Sequence, residues 1–106
     1  MNTELLLLFR SLWGFAGDLQ QAIQQACLHD FDGLEVNLQH SVLNHVAPAE
    51  VNERLQSAGL ELILELVSGG DYVPDLGLSW QQHLAQLDQQ LARAEQYKPL
   101  RITLIA

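Results

Sequence analysis

The sequence predicts an α/β fold, a parallel βαβαβαβ segment, on two observations. Four apolar β-type runs, at residues 5–9, 33–36, 60–67 and 101–105, alternate with stretches of helical periodicity. The runs start about every 30 residues, the spacing of βα units in a barrel or a doubly wound sheet. Parallel strands joined by helices need cover on both faces of their sheet, and the fourth run has no helix behind it. Residues 1–106 are therefore expected to form one partial domain of a larger closed structure.

Each element has its own signal. Residues 5–9, four leucines and Phe9, make the first strand. The turn after it, Arg10 through Gly17, offers only a G-x-x-G with bulky neighbours, where a dinucleotide phosphate needs small ones. Asp18 stands at an N-cap position, and Leu19, Ala22, Ile23, Ala26 and Cys27 follow one helix face, with Cys27 expected as inert core. Asp32-Gly33 turns the chain into Leu34-Glu35-Val36-Asn37. Pro48 suits a first helical position, Val51, Leu55 and Ala58 form a stripe, and Gly59 closes this second helix.

Residues 60–67 would tolerate a helix, but Gly59 before them and Ser68-Gly69-Gly70 after them mark a strand. The loop 68–78 is long for a βα connection, either a functional loop or a plain surface excursion. Ser79-Trp80-Gln81-Gln82 fits a capping box, and Trp80, Leu84, Leu87, Leu91 and Ala94 run down one face of the longest helix. Lys98-Pro99 stops it.

Composition narrows the functional classes. Of the 106 residues 48% are hydrophobic and 17% charged, which fits a folded body and excludes a disordered one. Thirteen acidic against five basic residues give a net charge of −8, so nucleic acid is not expected as a partner. No run approaches the roughly 20 apolar residues of a membrane span, and the N-terminus lacks the basic region of a signal peptide. A cytoplasmic protein with no membrane partner is expected, and its single cysteine excludes an internal disulfide.

Alternation along the strands concentrates the polar chemistry. Leu34 and Val36 point one way and Glu35 and Asn37 the other, while Leu62, Leu64 and Leu66 oppose Ile63, Glu65 and Val67. If the leucine faces meet the helices, Glu35, Asn37 and Glu65 look into the inner face, where barrel active sites are built near strand C-termini. A buried carboxylate needs a base, a metal or substrate hydroxyls, so the alternative is that each Glu faces solvent or a structural arginine, Arg10 or Arg101. Trp13, Asp71 and Tyr72 follow strand ends and can converge on one rim, where an aromatic wall with carboxylates suits carbohydrate. Trp13 equally suits a plug in a barrel mouth. His40 and His45 match no zinc spacing, His83 reads as a surface or supporting residue, and His29 as a helix-end residue.

Phe31-Asp32-Gly33-Leu34-Glu35-Val36, with Trp13-Gly14 upstream and the helix from His83 through Ala94, resembles the N-terminal part of the xylose isomerase-like TIM barrels, the sugar phosphate isomerase/epimerase group. The stretch from Leu64 to Pro74 is similar to the end of the third strand in that group. The resemblance implies an incomplete (β/α)₈ barrel, roughly the first three and a half βα units of a fold that needs about 250 residues. It implies a sugar or polyol substrate, with Glu35 at the pocket floor and Trp13 at its wall. It also implies a divalent metal held by later strands, so that this segment binds no metal itself and is inactive alone.

Completion would come from a homo-oligomer or a complementary second half. Two rivals stand beside this expectation. One is a small non-catalytic α/β module that oligomerises or binds a protein partner. The other is an intact flavodoxin-like fold, which requires the first strand inside the sheet.

Overall fold

A computed structural model of the protein describes residues 6–70 and 73–105. The elements follow in the order β1 (Phe9–Ser11), α1 (Leu19–Leu28), β2 (Gly33–Asn37), a 3₁₀ turn (Ser41–Leu43), α2 (Pro48–Ser57), β3 (Glu61–Val67), α3 (Trp80–Glu95) and β4 (Arg101–Ile105). The four strands form one all-parallel sheet in the order β1-β2-β3-β4. This is the α/β fold with a parallel βαβαβαβ course that the sequence predicts. Because β1 lies at an edge, the flavodoxin-like alternative is excluded.

Sequential order explains where the helices go. Right-handed crossovers between adjacent strands, always stepping the same way, put every helix on the same face. That face carries the core: Leu34, Val36, Leu62, Leu64 and Leu66 pack with Leu19, Ala22, Ile23 and Ala26 of α1, Val51 and Leu55 of α2, and Ala94 of α3. The opposite face presents Glu35, Asn37, Ile63, Glu65 and Val67, as alternation requires.

Local chemistry sets the helix ends. Asp18 and Ser79 each close a capping box, with Gln21 and Gln82 respectively. Pro48 opens α2, and Gly59 just beyond its end takes a φ of +70°, a left-handed turn that leads at once into β3.

Three expectations are corrected. The first strand is Phe9–Ser11 and not residues 5–9; Leu6, Leu7 and Leu8 precede it and are exposed. Its position is set by pairing, since Phe9, Arg10 and Ser11 are the residues that meet Gly33, Leu34 and Glu35. Cys27 is exposed and not core. At about 100° per residue it lies about 80° round the helix from Leu19, whereas Ala26 lies about 20° away. On α3, Leu87, Leu91 and Ala94 pack on the core but Trp80 and Leu84 are 70% and 54% exposed, so the apolar stripe is covered only over the later turns of the helix. Among the described residues no helix is long and apolar enough to cross a membrane.

Candidate functional site

Parallel strands end on a common rim, and the sheet register decides which side chains meet there. Ser11 pairs with Glu35 across β1 and β2, and Asn37 pairs with Glu65 across β2 and β3. All four lie on the face away from the helices, and Trp13 follows β1 directly. Together Ser11, Trp13, Glu35, Asn37 and Glu65 line a cavity of about 260 Å³. Four of the six residues predicted from sequence therefore converge: Trp13, Glu35, Asn37 and Glu65. Asp71 and Tyr72 lie outside the described residues.

Asn37 organises the centre. Its side chain is buried, its Nδ2 donates to Glu65 Oε1 at 3.1 Å, and its Oδ1 accepts from the Gln39 backbone N–H at 2.8 Å. An amide engaged at both ends holds one rotamer, so it fixes the carboxylate it touches. Glu65 and Glu35 are half-buried.

Neither carboxylate pairs with an arginine among the described residues, where the ion pair present is Arg54–Glu50 on α2. Arg10 turns to the helix side: its guanidinium donates to Ser11 O at 3.0 Å and to Gln25 Oε1 at 3.1 Å, and sits 5.6 Å above the Phe15 ring. Arg101 lines a separate cleft with Leu7, Phe9, Ile63 and Leu100. The structural-arginine alternative for Glu35 and Glu65 is thus not what the packing shows.

Trp13 is 75% exposed and lines the cavity. Its backbone is closely held. Leu12 N–H donates to Glu35 O at 2.9 Å, Phe15 N–H donates to Leu12 O at 2.9 Å, and Trp13 N–H donates to Ser11 Oγ at 3.3 Å.

Sequence reasoning missed Ser11, because it placed the first strand too early to see that Ser11 ends it. It also missed the partners of two histidines. His40 is buried, with Nε2 3.0 Å from Leu12 O and Nδ1 accepting from Val42 N–H at 3.0 Å. His83, in the first turn of α3, lies with Nδ1 2.5 Å from the Oγ of Ser68, a fully buried residue that follows β3. No spacing in the sequence signals either contact.

A cavity with two carboxylates, an amide and an aromatic wall accepts hydrogen bonds from hydroxyls and stacks against an apolar ring face. Among the described residues no group of three or more His, Cys, Asp or Glu side chains is placed to hold a metal ion. Comparison with protein-family models, with curated proteins and with solved structures finds no match, so the site is characterised by its own geometry.

Proposed function

We propose that this chain supplies substrate-pocket residues to a sugar phosphate isomerase/epimerase-like barrel, in which its rim binds a sugar or polyol. The observation that carries the proposal is the convergence of Trp13, Glu35, Asn37 and Glu65 on one cavity at the C-terminal ends of parallel strands. Carboxylates left without arginine partners on a half-buried face are matched by ligand hydroxyls, and Trp13 supplies the stacking surface. The divalent metal of such enzymes would be held by other strands of the completed barrel. The chain alone binds without turning substrate over, and a cytoplasmic setting goes with its single unpaired cysteine.

The test is titration with D-fructose and D-xylose, followed by isothermal titration calorimetry. Saturable binding that Trp13→Ala and Glu65→Gln each weaken about tenfold, the worth of one good contact, supports the proposal. No binding by the wild type, or isomerisation by the isolated chain, refutes it. The exposed Leu6, Leu8, Leu100 and Leu104 favour a second reading, a non-catalytic module that associates through its sheet edges. Light scattering that shows a stable oligomer with no sugar binding selects that one.

A further inference from the structure

An exposed tryptophan is held here on a backbone whose hydrogen bonds run inward to a buried histidine. Trp13 is 75% exposed, yet the residue before it, Leu12, is fully buried. The Leu12 carbonyl faces two donors, Phe15 N–H at 2.9 Å and His40 Nε2 at 3.0 Å. The tautomer of His40 follows from its other partner. Val42 N–H can only donate, so Nδ1 accepts and Nε2 carries the proton that goes to Leu12 O. His40 thereby ties the turn after β1 to the turn after β2.

The end of β2, just before that turn, holds the second element of the cavity. Asn37, three residues before His40, takes the Gln39 N–H on Oδ1 and gives Nδ2 to Glu65. We propose that the end of β2 and the loop after it organise the rim pocket from behind, with His40 as the positioning residue for the Trp13 wall and Asn37 for the Glu65 carboxylate. This rests on the sugar-binding reading above. Neither residue needs to react; each removes freedom from a group that meets the ligand, which is how preorganisation raises affinity.

The experiment uses Trp80→Phe protein, in which Trp13 is the single tryptophan. His40→Phe keeps a ring in the site and removes both hydrogen bonds. Folded His40→Phe protein is expected to lose the near-ultraviolet circular dichroism of Trp13 and to bind D-fructose about tenfold more weakly. Asn37→Asp keeps the acceptor for Gln39 and sets a second carboxylate against Glu65. It is expected to weaken D-fructose to a similar degree while leaving the Trp13 signal in place.

Should His40→Phe not fold, ¹⁵N NMR of the wild-type imidazole decides. The Nε2–H tautomer supports the clamp, and an Nδ1–H tautomer overturns it. Unchanged Trp13 dichroism in folded His40→Phe protein also overturns it. Absence of D-fructose binding by the wild type defeats the sugar reading, while the dichroism and the tautomer still decide whether His40 positions Trp13.

Discussion

Leu66 and Leu104 are register partners across β3 and β4, both on the helix side of the sheet, and they give the sharpest test of this architecture. Leu66 is 0% exposed and Leu104 is 50% exposed. Truncating Leu66 to Ala removes buried carbons from a site enclosed on all sides, so the loss falls near the middle of the range for such changes, about 3 kcal/mol. Truncating Leu104 removes atoms already half in water, for which transfer alone sets the loss at about 1 kcal/mol. A domain of this size unfolds with about 5–15 kcal/mol and loses roughly 4–8 °C of Tm per kcal/mol. Leu66→Ala should therefore melt roughly 12–24 °C below the wild type, and Leu104→Ala roughly 4–8 °C below it.

The assay is thermal and urea unfolding by far-ultraviolet circular dichroism, at concentrations where light scattering finds a monomer. Equal losses for the two variants would refute the reasoning, because they would mean that β4 is as well covered as β3.

Two further perturbations probe close contacts. A Cβ at Gly33 would press on the Glu61 carbonyl oxygen and the Phe9 ring, so Gly33→Ala should cost about 2 kcal/mol through overpacking. Gly59→Ala meets open space and should cost only the left-handed backbone penalty, about 1 kcal/mol, and urea midpoints in the reverse order would contradict the strand spacing. Gln90 is buried on α3, donating Nε2 to Val67 O at 3.0 Å, while its Oε1 has no hydrogen-bond partner among the described residues. Gln90→Glu puts an acceptor where the donor stood and should cost about 3 kcal/mol at neutral pH; a neutral result would show that Val67 O does not depend on it.

Much of the site is legible in strand periodicity. Glu35, Asn37 and Glu65 sit at alternate positions opposite leucine and valine, so burying the apolar face against helices turns them to the other face whatever the partner elements are. The caps at Asp18 and Ser79, the proline that opens α2 and the glycine behind it are equally local, each depending on a few neighbouring backbone groups. The start of β1 is not legible. A run of leucines satisfies strand propensity at residues 5–9, but only pairing with β2 selects Phe9–Ser11. The exposure of Trp80 and Leu84 is hidden for a similar reason, since an apolar stripe on a helix does not say which of its residues the rest of the fold covers.

The sequence by itself determined the α/β class, the parallel strand order's raw material and the polar face of β2 and β3, because these follow from periods of 2 and 3.6 residues acting over short stretches. Only the tertiary structure decided that Trp13 and Ser11 line one cavity with Glu35, Asn37 and Glu65, and that His40 reaches Leu12. Those outcomes depend on contacts between residues far apart in the chain, whose distances are set by register and crossover handedness and leave no local trace in composition or spacing.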